Sequence, residues 1–76
     1  MPKLPVVSGR EAIRALERGG FRFDHQAGSH VTMVHGERGR RATVPVHGGA
    51  DLPPGTLRSI LRQAGLSVDE FCGLLK

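Results

Sequence analysis

The hydrophobic positions of this chain switch period twice. In residues 9–18, Ala12, Ile13, Ala15 and Leu16 recur at helical spacing, with Arg10, Arg14, Glu17 and Arg18 outside the stripe, which predicts an amphipathic helix. "SGRE" at 8–11 fits its start as a capping box, in which Ser8 accepts from a free backbone N–H and Glu11 reaches back. Gly19-Gly20 fit its end, since glycine tolerates the left-handed turn that follows a helix. From residue 21 the period falls to two. "FRFDHQ" (21–26) alternates Phe21 and Phe23 against Arg22 and Asp24, and "HVTMVH" (30–35) and "ATVPVH" (42–47) follow as second and third strands. Ala27-Gly28-Ser29 is a tight connection, and "GERGRR" (36–41) reads as a hairpin loop. Pro45 cannot donate to a ladder, so the third strand is expected at a sheet edge.

Helical spacing returns after the connector "GGADLPPG" (48–55). A second helix is expected from Thr56 to about Ala64, burying Leu57, Ile60 and Leu61, with Gly65 as its stop. "SVDE" (67–70) is a second capping box and opens a short helix carrying Phe71, Leu74 and Leu75. Pro2 and Pro5 make residues 1–7 an extended leader. The order α-β-β-β-α, with a short extra C-terminal helix, predicts an α+β fold: a three-stranded antiparallel meander with helices on one face. All 76 residues are expected to form a single domain. The other sheet face is left to water or a ligand.

Parity then assigns side chains to faces. Val31 and Met33 are the more apolar set of the second strand and are expected to face the helices, leaving His30, Thr32 and Val34 on the open face. In the third strand, Ala42, Val44 and Val46 are expected inward, and Thr43, Pro45 and His47 outward. His30 and His47 thereby share the open face, and His35 falls on the opposite parity. The three phenylalanines, Phe21, Phe23 and Phe71, fit core positions.

Composition narrows the function classes. The chain carries 11 Lys+Arg against 7 Asp+Glu, a formal net charge of +4, which suits an acidic partner such as nucleic acid or an acidic protein. With no Trp or Tyr and all three Phe assigned to the core, no ring is spare for stacking bases, so contact with RNA would fall on phosphate, sugar and shape. The single cysteine, Cys72, lies in an apolar helical stretch and reads as core packing. No CxxC or HExxH spacing points to zinc. The histidines at 25, 30 and 35 alternate faces, which argues against a shared metal. No apolar run approaches bilayer-spanning length, and "MPKLPVV" is too short and broken for a signal peptide. A cytoplasmic protein is expected.

Two features carry candidate chemistry. The first is His30, a side chain type suited to proton transfer near neutral pH, set at the start of a strand directly after Gly28 and Ser29. Taken alone, Gly-Ser-His is a turn followed by a surface histidine. The second is Arg38, Arg40 and Arg41, crowded into one predicted loop. They read either as a solvated hairpin tip or as a phosphate clamp, since guanidinium forks match phosphate oxygens. The start of the second helix at Gly55-Thr56 offers free N–H groups that favour anions, and Arg58 and Arg62 share one face of that helix.

In combination these segments resemble a known family. "GSH", "VPVH" and "GTLRSILRQAGLS", with the opening "KLPVVSGREAIRALERGGF", are similar in order and spacing to the HicA toxins of HicAB toxin–antitoxin systems. The resemblance implies a fold like a double-stranded RNA-binding domain, which agrees with the α-β-β-β-α order. It implies an mRNA interferase that cuts mRNA without a metal or other cofactor, and a HicB-type antitoxin that neutralises it, in an oligomer of toxin and antitoxin. By motif it makes His30 the catalytic histidine, with Gly28 and Ser29 as its neighbours; Arg38, Arg40 and Arg41 are then the expected RNA-binding group. The chain departs from the family pattern at Asp24-His25-Gln26-Ala27, where a basic residue often precedes GSH, and at Val31, where a polar residue often follows it. In the mechanism expected, His30 takes a proton from an RNA 2′-hydroxyl; His47 or water supplies the proton to the leaving 5′-oxygen. A non-catalytic basic RNA-binding module explains the fold order and charge equally well but leaves GSH without a role.

Overall fold

The computed structural model describes residues 3–75, so the first two positions of the expected leader lie outside the described residues. The elements run α1 (Gly9–Arg18), β1 (Arg22–Ala27), β2 (His30–His35), β3 (Arg40–Pro45), α2 (Pro54–Ala64) and α3 (Val68–Leu74). The strands form one antiparallel sheet in the order β1-β2-β3. Val31, Met33, Ala42 and Val44 from the sheet bury with Ala12, Ala15 and Leu16 of α1, Leu57, Ile60, Leu61 and Ala64 of α2, and Phe71 of α3. One sheet face is therefore covered by helices, as the α+β reading expects. No helix among the described residues is long and apolar enough to cross a membrane.

Both capping boxes are present. Glu11 N–H donates to Ser8 Oγ at 3.2 Å and Ser8 N–H donates to the Glu11 carboxylate at 2.9 Å. In α3 the corresponding pairs, Glu70 N–H to Ser67 Oγ and Ser67 N–H to Glu70 Oε1, measure 3.0 and 2.8 Å. The bonds from the Ser67 backbone and side chain hold the Glu70 carboxyl below its ordinary value, because they favour its charged form.

Three elements have boundaries that differ from the sequence reading, each for a local reason. β1 starts at Arg22 rather than Phe21, because the Phe21 N–H still donates to Leu16 O at 2.9 Å as the chain leaves α1. β3 starts at Arg40 rather than Ala42: Arg40 and Arg41 pair with His35 and Val34, so the loop shrinks to 36–39. It also ends at Pro45, which leaves Val46 and His47 beyond the strand. α2 begins at Pro54 rather than Thr56. Proline suits a first helical position, where its missing N–H has no intrahelical partner to lose and its φ is already helical.

Pro45 does lie on an edge strand. Thr43, two residues earlier, points its N–H away from β2 and donates to Gln63 Oε1 of α2 at 2.9 Å. Pro45 shares that parity, so its missing donor falls on the outer edge and interrupts no ladder bond. The Gln63 side chain meanwhile occupies one of the edge donors that would otherwise template strand pairing.

Two expectations about the core are corrected. Phe23 is 58% exposed. It pairs with Met33 and so faces the helix side, but the helices pack over β3 and β2 and leave β1 uncovered along its whole length. Cys72 is only half-buried, because Phe71 takes the core-facing position of α3.

α1 sits close against the end of β3. A Cβ placed at Gly9, which is buried, would strike the Pro45 carbonyl oxygen and crowd Val46 Cα at 3.3 Å. Backbone on both sides cannot give way as a flexible side chain could. Gly9→Ala is expected to cost about 1 to 3 kcal/mol, read as a lower urea midpoint; an unchanged midpoint would show that the helix can slide off this contact freely.

Candidate active site

The site begins with the turn between β1 and β2. Only Gly28 and Ser29 separate Ala27 from His30, which are directly paired. Gly28 has φ +59 and Ser29 does not share the positive φ, the pattern of a type II′ hairpin with glycine first. Around Gly28 there is open space, with no heavy atom within 4 Å of an added Cβ. Glycine is therefore required by backbone conformation and not by crowding. Gly28→Ala is expected to cost about 1 to 2 kcal/mol from the left-handed strain alone. The predicted readout is a lower unfolding midpoint in urea. An unchanged midpoint would contradict the turn assignment.

On the helix-free face the register lays side chains out in three rows. Ala27, His30 and Pro45 form the row beside the turn, His25, Thr32 and Thr43 the middle row, and Arg22, Val34 and Arg41 the far row. His30 is exposed, as parity predicts. Thr32 shares its face but is buried at 6% exposure, with its hydroxyl 3.5 Å from that of Thr43. A threonine on the central strand is shielded by the flanking rows even without a covering helix. The far row lies four residues from His30 along β2, about 13 Å at the usual strand rise.

His25 is on this face for a reason that strict alternation misses. The β1–β2 register shifts between Phe23 and His25, so Asp24 is an extra residue and parity reverses after it. Its carboxylate turns onto the open face, where Oδ2 lies 2.7 Å from His25 Nδ1 and 3.6 Å from Arg41 Nη1. The signal in the sequence was the polar pair Asp24-His25 inside an otherwise alternating strand. Alternation alone turns Arg22 outward, and the register sets it in line with Arg41 across Val34.

The other histidines leave the site. His35 faces the helix side, where its ring meets Phe21 edge-on at 5.2 Å between centroids and its Nδ1 accepts from the Arg38 N–H at 3.3 Å; it is a packing residue. His47 is exposed but lies past the end of β3, its carbonyl accepting from Ala50 N–H at 3.1 Å. The strand parity that placed it on the open face with His30 therefore does not apply.

The structure divides the three arginines expected as one group. Arg41 joins the open face. Arg38 donates from Nη2 to Gly65 O at 3.2 Å, and the Arg40 guanidinium lies against Gly65, close enough that an added Cβ there would be 2.8 Å from Cζ. Both thus gather at the C-terminal end of α2, where cations and donors complement free carbonyls. Arg58 and Arg62 are exposed on α2, across the sheet from His30. Among the described residues, no group of three His, Cys, Asp or Glu side chains could hold a metal ion.

An exposed histidine on a rigid strand, beside a two-residue turn and on the same sheet face as two arginines, can exchange protons with a bound anionic ligand. No curated protein matches this chain. A family model described as the HicA toxin of bacterial toxin–antitoxin systems matches residues 9–66, which run from the start of α1 past the end of α2 and include the whole sheet. The chain belongs to the HicA toxin family, whose members are the toxin components of toxin–antitoxin pairs and have a cognate antitoxin partner.

Proposed function

We propose that this toxin is an endoribonuclease that cuts mRNA in the cytoplasm and so inhibits translation, with His30 as its general base. The observation that carries the reading is the position of His30: exposed, held by the Gly28-Ser29 turn, on the one sheet face that no helix covers. In this reading neutral His30 removes the proton of a ribose 2′-hydroxyl, and the oxygen attacks the adjacent phosphorus. Arg41 and Arg22 hold phosphates further along the strand and so fix the RNA in register with His30. Gly28 and Ser29 admit the RNA backbone beside His30, where Gly28 leaves open space. Arg38 and Arg40 extend the basic surface around the sheet edge once the end of α2 is satisfied.

Proton transfer and phosphate binding both come from side chains in this scheme, so a chelator is expected to leave cleavage unchanged. A HicB-type antitoxin would neutralise the toxin by covering the open face. The test is controlled expression of the parent chain and of His30→Ala in a bacterial host, with growth and mRNA integrity followed together. Arrest with mRNA fragmentation from the parent, and neither from the variant at equal protein level, is the expected result. Normal growth and intact mRNA under abundant parent protein would favour a non-catalytic RNA-binding module, which the basic net charge of +4 also fits.

A further inference from the structure

We infer that His25 is the acid of the same reaction, the group that protonates the leaving 5′-oxygen, and that Asp24 is its positioning residue; the inference rests on the endoribonuclease reading above. The register shift at Asp24 turns His25 onto the open face opposite Thr32, one row from His30. His25 and His30 are then diagonal neighbours across an antiparallel pair, a relation that sets them about 7 to 8 Å apart. Two imidazoles carried on strand positions that far apart, on one face, can reach the same phosphate from two sides. In an in-line displacement the attacking and leaving oxygens lie on opposite sides of phosphorus, so base and acid must approach from two sides. The diagonal placement supplies them.

Asp24 settles which nitrogen of His25 meets the substrate. A carboxylate only accepts hydrogen bonds, so in the 2.7 Å contact with Oδ2 the Nδ1 carries a proton, and Nε2, across the ring from Asp24, is the nitrogen left for the substrate. The Arg41 guanidinium, 3.6 Å from the same Oδ2, steadies Asp24 from the far side. The charged or titratable groups facing His25 on this surface are thus Asp24, Arg41, Arg22 and His30. No carboxylate or other side chain hydrogen-bonds the His30 ring among the described residues, so the two histidines have different surroundings, as different roles require.

The step balances. His30 takes the 2′-hydroxyl proton as the O2′–P bond forms. The P–O5′ bond breaks as His25, cationic, gives its Nε2 proton to O5′. The products are a 2′,3′-cyclic phosphate and a 5′-hydroxyl, and proton exchange with water restores both rings.

The test uses the full chain and two versions of one RNA oligonucleotide: the ordinary linkage, and the same linkage with sulfur replacing the bridging 5′-oxygen. A thiolate departs without a proton. His25→Ala is expected to cut ordinary RNA about 100- to 10,000-fold more slowly than the parent and the sulfur-bridged RNA at close to the parent rate. Asp24→Asn is expected to lose part of the rate on ordinary RNA, to alter its pH dependence, and to be rescued in the same way. His30→Ala stays slow on both, since its step precedes departure. Parent-like cutting of ordinary RNA by His25→Ala, or an equal loss on both substrates, would overturn the assignment. A parent chain that cuts neither substrate overturns the nuclease reading itself, and this one with it. His25 and Asp24 are surface side chains, 55% and 41% exposed, so circular dichroism should show both variants folded.

Discussion

His30→Ala is expected to lower the rate of RNA cleavage by the purified chain by about 100- to 10,000-fold, the usual worth of a positioned general base. Its folding stability should stay within about 0.5 kcal/mol of the parent, as for most exposed positions. The second half makes the first interpretable. His30 is exposed, and it is held in the sheet by strand pairing opposite Ala27 and Pro45, not by its side chain. Nothing in the core depends on the imidazole. Alanine therefore removes the proton acceptor and leaves the turn, the register and the arginine row in place. His35→Ala is the internal control with the opposite outcome. It removes the ring that packs on Phe21, so stability should fall while cleavage by the remaining folded protein persists. Cleavage at the parent rate by folded His30→Ala would remove the histidine from the mechanism.

Phe71→Ala is expected to cost about 3 to 5 kcal/mol, the usual range for emptying a buried aromatic site. A domain of 76 residues has roughly 4 to 11 kcal/mol of total stability, so this one change leaves the chain marginal or unfolded at room temperature. Phe71 is fully buried and lies in α3, beyond the segment that matches the family model. α3 packs against α1, and the Arg18 guanidinium donates to Leu74 O at 2.9 Å across the same junction. The short helix is thus part of the only core the sheet has among the described residues. Urea unfolding followed by circular dichroism checks it: the midpoint should collapse, and a variant within about 1 kcal/mol of the parent would mean that α3 is dispensable.

Much of this architecture could be read from the chain because the local rules agree with one another. Ser8 and Ser67 with their glutamates mark the starts of α1 and α3, period-two alternation marks β2, and Gly65 closes α2 with φ +71. The exposed position of His30 on the open face was legible in the same way, since β2 alternates without interruption from the Gly28-Ser29 turn. What failed depended on neighbours. Phe23 has the right parity for the core, but parity cannot tell how far the helices extend over the sheet. His25 was hidden by one extra residue, Asp24, because a bulge inverts every face assignment that follows it in the strand. His47 fell outside because β3 shifted two residues toward its own N-terminus. Arg40 and Arg41 are adjacent in sequence yet lie on two sides of the sheet, since consecutive strand residues point opposite ways, and Arg38 in the loop reaches the same side as Arg40.

In the proposed mechanism the open face activates a ribose 2′-hydroxyl against the phosphate next to it. An RNA oligonucleotide with one mapped cleavage site, compared with the same oligonucleotide carrying a single 2′-deoxyribose on the 5′ side of that linkage, tests it most directly. The predicted result is that the parent chain cuts the all-ribose strand to a 2′,3′-cyclic phosphate and a 5′-hydroxyl and leaves the modified linkage intact. Cutting of the modified linkage at a comparable rate would contradict the account, because the nucleophile would then be something other than the 2′-oxygen that His30 is placed to deprotonate.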